Sequence, residues 1–171
     1  MKGYSGDKDK TRSQNIKNYL KKESFEVFVS EVVSPWEFYS QKTDPLIISR
    51  LEKLNRDINQ YCTKVPINKG PLPTGSSCCV KFTADNLWYR GIVLENLGQA
   101  CLVRQVDFGN SEVIPWSSVL PMPPQFQTLD SVSFRCCLAD IRKTRKGRDW
   151  DEKAKKYFEV FKFLECFCYV Y

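Results

Sequence analysis

Histidine is absent from all 171 residues. The commonest general base, the commonest metal ligand and every Ser–His or Cys–His nucleophile pair are therefore excluded. Eight cysteines remain, at 62, 78, 79, 101, 136, 137, 166 and 168, and no two of them form a C-x-x-C pair. A zinc site is not expected. Cys78–Cys79 and Cys136–Cys137 lie in apolar, strand-like runs. Adjacent strand residues face opposite ways, which disfavours vicinal disulfides, so the set reads as reduced, packed thiols. Aromatic residues offer a different chemistry. Eleven Phe, eight Tyr and four Trp, 13% of the chain, are material for a stacking or cation-holding surface. A basic run supplies a third chemistry. Arg142, Lys143, Arg145, Lys146 and Arg148, with Trp150 close by, could contact phosphates and stack bases. Asp140 with Arg142 and Arg145 is the nearest approach to a carboxylate–arginine phosphodiesterase site, but these residues sit in or beside the basic loop and read as solvated charge. No catalytic residue, metal or cofactor is expected.

The elements that position these residues follow from local patterning. Met1 to Ser24 is polar, carries seven Lys+Arg against three Asp+Glu, and reads as a flexible basic leader with at most a short helix over Asn15 to Leu20. It has no signal-peptide character, and no apolar run reaches transmembrane length. Phe25, Val27 and Val29 alternate with polar residues as in a strand; Ser34-Pro35 turns the chain into a second strand over Trp36 to Tyr39. Asp44-Pro45 is a helix start, with a capping carboxylate and proline at the first helical position, and apolar residues at helical spacing carry the helix to about Cys62. Pro66 to Gly75 is a Pro/Gly-rich linker. Ser77 to Thr83, Trp88 to Leu94, Cys101 to Val106 and Glu112 to Ile114 then read as four short strands with close turns, the pattern of a small bent sheet or barrel. A strand over Val132 to Leu138, a helix over Asp149 to Phe163 with Trp150, Tyr157 and Phe161 near one face, and a last strand over Leu164 to Tyr171 follow. The flanking pieces are too small to bury cores alone and are expected to pack together across the inserted β unit.

Two stretches carry a family resemblance: Phe82-Thr-Ala-Asp85-Asn-Leu-Trp88-Tyr89-Arg90-Gly91 and Val106-Asp107-Phe108-Gly109-Asn110. Together they resemble the Tudor pattern, with Gly91 in place of the usual Ala and Phe108 in place of the usual Tyr. With its flanks, the chain is similar to the extended Tudor domain. The resemblance implies an α+β fold, mainly β with helices: a small Tudor β-barrel (75–121) inserted into a split staphylococcal-nuclease-like, OB-type barrel (25–65 and 130–171). It also implies a methylarginine cage which, carried over by position, consists of Phe82, Tyr89, Gln105, Phe108 and Asn110. Gln105 departs from the family, which usually has an aromatic there.

The cage chemistry needs these residue types. A guanidinium is planar and weakly hydrated, so it stacks on aromatic faces at little desolvation cost. Asn110 can accept a hydrogen bond from a remaining N–H. Taken without the resemblance, Phe82, Tyr89 and Phe108 read as core aromatics beside turns. Trp88, next to Tyr89, faces the other way and reads as core. Arg90 and Asp107 read as a structural pair bracing the turn, and Gly109 as a positive-φ position. The resemblance implies a binding module and no enzyme. Its expected partner is an arginine-glycine-rich tail, unmodified or dimethylated, of a PIWI-class protein in germ-cell small-RNA silencing. Cytoplasmic location in germ granules, a monomeric isolated domain and no membrane contact go with it. RNA binding, or protein interaction through a degenerate cage, is the alternative.

Overall fold

The computed structural model describes residues 24–66, 70–139, 141, 150, 152–161 and 166–169. Residues 1–23 of the expected leader over 1–24, Asp140 and the basic candidates Arg142, Lys143, Arg145, Lys146 and Arg148 lie outside the described residues, while Ser24, placed in the leader, opens the first strand.

Two antiparallel sheets and two helices make up the described fold. The outer sheet has the order β8-β2-β1-β9, from β1 (Ser24–Ser34), β2 (Glu37–Lys42), β8 (Ser133–Cys136) and β9 (Cys166–Tyr169). The expected reunion of the flanking segments is therefore found, since β1 and β2 share one sheet with β8 and β9. The inner sheet has the order β6-β5-β4-β3-β7, from β3 (Ser77–Lys81), β4 (Trp88–Asn96), β5 (Ala100–Gln105), β6 (Ser111–Pro115) and β7 (Val119–Pro121). Helix α1 (Pro45–Cys62) joins the sheets, and α2 (Glu152–Phe161) precedes β9. No helix among the described residues is long and apolar enough to cross a membrane.

Strand alternation divides the inner sheet between two cores. One face encloses Cys78, Val80, Val93, Cys101, Val103, Ile114 and Val119. The other presents Cys79, Trp88 and Leu120 to Ile58 and Cys62 of α1, with Phe126 completing the cluster. Cys78 and Cys79 thus point into different cores, as adjacent strand residues must. The six cysteines over 62–137 form no disulfide among the described residues. Helix α1 starts where Asp44 Oδ1 accepts a 2.8 Å bond from the Leu46 N–H and ends at the expected residue. Asn59 on α1 then acts as a strand partner: its Oδ1 accepts from Trp88 N at 2.8 Å and its Nδ2 donates to Trp88 O at 2.9 Å.

The last helix departs from expectation. Tyr157 is 62% exposed, and Phe158 is the ring that packs, edge-on to Phe38 at 5.1 Å. Trp150 lies ahead of α2 and meets Trp36 edge-to-face, with centroids 5.4 Å apart and planes at 90°. Residues one position apart stand about 100° apart on a helix, so Tyr157 and Phe158 cannot share a face. The contact with Phe38 leaves Phe158 half-buried and Tyr157 exposed.

Candidate functional site

The inner face of the barrel continues past its aliphatic core to an aromatic end. Val80 pairs with Tyr89, and Cys78 with Gly91, so Tyr89 shares the inner face with the buried valine. Phe82 lies two residues beyond Val80 and closes the turn to β4: its N–H donates to Leu87 O at 2.8 Å and its O accepts from Asn86 N at 2.9 Å. Asn86 holds φ of +61° in that turn. The Tyr89 ring stands perpendicular to two others. Phe82 is 6.3 Å away at 83°, and Phe108 is 5.4 Å away at 84°. Three rings from three separate segments thus stand together at this end of the barrel. All three are half-buried, so their edges and faces are in part open to solvent.

The phenol of Tyr89 donates a 2.7 Å bond to Asp85 Oδ2. Burial, and then the bond and charge of Asp85, push its pKa up to about 12. The ring therefore stays a neutral phenol, its hydroxyl is committed away from the box, and its face is left to a ligand.

The loop 106–110 brings Phe108 and Asn110 to the site. Gln105 N donates to Asn110 O at 2.9 Å, and Gly109 N donates to Gln105 O at 2.8 Å. Gly109 takes φ of +92°, and a Cβ there would lie 2.1 Å from Tyr39 Cγ, so only glycine fits. The side chain of Asn110 is half-buried and makes no hydrogen bond among the described residues. Gln105 pairs with Gly91, one step deeper than Tyr89 on the same face, and is only 4% exposed. Its Nε2 has no hydrogen-bond partner among the described residues. Gly91, where the family has Ala, also has a local cause: a Cβ would lie 2.7 Å from Val103 Cγ1 and 3.1 Å from Val80 Cγ1.

The base of the loop is held by a buried ion pair, as expected from Arg90 and Asp107. Arg90 donates through Nε to Asp107 Oδ2 at 2.9 Å and through Nη2 to Oδ1 at 2.6 Å. Its remaining N–H groups reach the carbonyls of Phe126, Leu129 and Asp130. Asp107 Oδ1 also accepts from Val132 N at 3.1 Å. The fork-to-carboxylate geometry with every donor used is what allows such a pair to be buried.

The outer sheet reaches the same loop, which sequence reasoning missed. Ser30 Oγ donates to Phe108 O at 2.6 Å, Ser133 Oγ to Val106 O at 2.8 Å, and Gln41 Nε2 to Asp107 O. Thr83 and Glu112 were missed as well. Thr83 Oγ1 donates to Glu112 Oε1, which ties β6 to the turn after β3. The two-residue spacing of Glu112 from Ile114 is the signal that puts it on the inner face.

A Tudor domain family model matches residues 20–140. Tudor domain-containing protein 1 of Mus musculus is 32% identical over 139 residues, covering 81% of this chain and 12% of that protein. Tudor domain-containing protein 6 of Homo sapiens is 38% identical over 120 residues, covering 67% of this chain and 5% of that protein. The chain thus spans a small part of the length of these relatives. Among solved structures, extended Tudor domain TD3 from mouse TDRD1, in complex with a MILI peptide containing dimethylarginine, matches with a TM-score of 0.80 at 30% identity, over 87% of this chain and 76% of that one. The extended Tudor domain of Drosophila melanogaster Papi, in complex with a Piwi N-terminal peptide, shares the fold at a TM-score of 0.71 and 24% identity, over 82% and 70% of the two chains. With two sheets joined by a helix and the motif residues at one barrel mouth, the chain belongs to the Tudor domain family, in its extended form.

Proposed function

We propose that this chain is a peptide-binding module that holds an arginine side chain, unmodified or dimethylated, between Phe82, Tyr89 and Phe108, with Asn110 accepting from a guanidinium N–H and Gln105 at the floor. The observation that carries the reading is the pair of perpendicular contacts of Tyr89 with Phe82 and Phe108, at 6.3 and 5.4 Å, on the half-buried end of the barrel. Rings so disposed offer their negative faces to a cation from more than one side. The dimethylarginine peptide bound to the similar mouse domain supports the same ligand class.

The partner is then an arginine-glycine-rich tail of a PIWI-class protein, and the role is that of a scaffold in germ-cell small-RNA silencing, in cytoplasmic germ granules. Binding, not catalysis, suits a chain without histidine. The two sheet orders support dividing the module into an inserted barrel over 75–121 and nuclease-like halves over 25–65 and 130–171.

Titration of Phe108→Ala and Asn110→Ala with an Arg-Gly peptide tests the assignment. Loss of one wall should cost about 1–2 kcal/mol, roughly tenfold in affinity. Parent-like binding by both folded variants would overturn it.

A further inference from the structure

We propose that Glu112 gives the box an anionic side, so that the site pairs the arginine with a carboxylate as well as with aromatic faces. This rests on the cage reading and specifies its ligand further: a positively charged guanidinium that keeps at least one N–H to present to Glu112.

The register of the inner sheet places the carboxylate. Glu112 pairs with Val103, and Ile114 with Cys101. Val103, Ile114 and Cys101 all belong to the enclosed core, so Glu112 is on the inner face of β6. Gln105 lies two residues beyond Val103 on the neighbouring strand, toward Tyr89. The hydroxyl of Thr83, the residue after Phe82, holds one carboxylate oxygen of Glu112. The acid is thereby tied to the turn that carries one of the walls.

Its second oxygen is unused. Glu112 Oε2 is buried and has no hydrogen-bond partner among the described residues, and the same is true of Gln105 Nε2. An acceptor and a donor on adjacent strands are thus buried together without a partner among the described residues. Buried polar atoms are nearly always paired, by protein, water or ligand. A full negative charge is the more expensive of the two to leave unpaired. An incoming guanidinium supplies the missing donor and cancels the charge, in a charge-assisted bond stronger than the one Asn110 can form. Gln105 Nε2 is then free to donate to a peptide carbonyl.

This arrangement discriminates by charge more than by methyl count. Symmetric dimethylation leaves an N–H on each terminal nitrogen and asymmetric dimethylation leaves two on one of them, so each form can still reach the carboxylate. Citrulline keeps N–H groups and a similar shape but is neutral, and it forfeits the ion pair.

The test titrates one Arg-Gly peptide carrying arginine, symmetric dimethylarginine or citrulline at its central position, against the parent chain, Glu112→Gln and Phe108→Ala. Glu112→Gln retains an oxygen for the Thr83 hydroxyl, and thermal unfolding checks that it stays folded. The expected result is a loss of about tenfold or more for both arginine forms with Glu112→Gln, while the citrulline peptide changes less than about twofold. The arginine-to-citrulline preference then falls by the same factor. An equal loss for all three peptides would show that Glu112 only braces Thr83, and would overturn the proposal. Unchanged arginine affinity in Glu112→Gln, with a loss in Phe108→Ala, would overturn it and leave the aromatic cage standing. No change in either variant would remove the cage reading along with it.

Discussion

The hydroxyl of Ser30 donates a 2.6 Å hydrogen bond to the carbonyl oxygen of Phe108, 78 residues further along the chain. One strand of the outer sheet thereby fixes the backbone of a ring in the inner barrel's box. A neutral hydrogen bond of this kind contributes about 1 kcal/mol. Ser30→Ala is expected to cut affinity for an Arg-Gly peptide about fivefold by loosening Phe108, although Ser30 has no place in the box. Peptide titration by calorimetry checks this. Parent-like affinity would mean that the loop holds its shape without the outer sheet.

Gly109 is the second hold on that loop. Its φ of +92° and the Tyr39 ring against it leave no room for a side chain. Gly109→Ala should destabilise by about 1–3 kcal/mol from overpacking, with about 1 kcal/mol more from the left-handed backbone. Peptide binding should fall with it, because Phe108 and Asn110 flank the displaced residue. Chemical denaturation and titration of the same sample measure both effects.

Asp107 should matter most for stability. Removing it leaves Arg90, 3% exposed, as an uncompensated buried cation. Asp107→Ala is expected to cost about 3–5 kcal/mol. Denaturant unfolding of Asp107→Ala beside the double variant Arg90→Leu/Asp107→Leu separates the cost of an orphaned charge from the net worth of the pair. The double variant should recover much of the loss.

Tyr89 ties stability to alkaline pH. Its phenol is raised from the ordinary 10 to about 12 in the fold, by burial and by Asp85. A raised acid holds its proton longer in the folded state, so its contribution is complete below pH 10 and is lost as pH rises through about 12. Unfolding free energies of the parent should fall over that window more steeply than those of Tyr89→Phe. Ultraviolet titration of the phenolates gives an independent reading of the same group.

Much of this fold was legible because its signals are local. The Asp44-Pro45 start, the alternation that sends Trp88 into the helix-facing core and Tyr89 to the box, and the glycine at 109 all depend on near neighbours. What escaped depends on distant ones. Gln105 stands with the cage residues by position alone, and its depth in the barrel, 4% exposed and across from Gly91, follows from the pairing of β4 with β5. Tyr157 and Phe158 stand about 100° apart on the helix, and it is the distant Phe38 that determines which of the two faces is covered. Ser30, Gln41 and Ser133 belong to no motif, and only the meeting of the two sheets gives them a role.

The inner barrel enters and leaves the outer fold side by side, since Cys78 on its first strand pairs with Pro121 on its last. Such adjacency marks a transplantable cassette whose junctions could be spliced between relatives. The natural cut, however, is not at the barrel's own strands. Asn59 of α1 completes the hydrogen bonding of Trp88, and Arg90 is wired to the carbonyls of Phe126, Leu129 and Asp130. A graft that exchanges binding preference without unravelling its host must carry the stretch from Asp44 through Val132 as one piece, leaving Ser30, Gln41 and Ser133, the residues that touch its recognition loop from outside, to be matched to the newcomer.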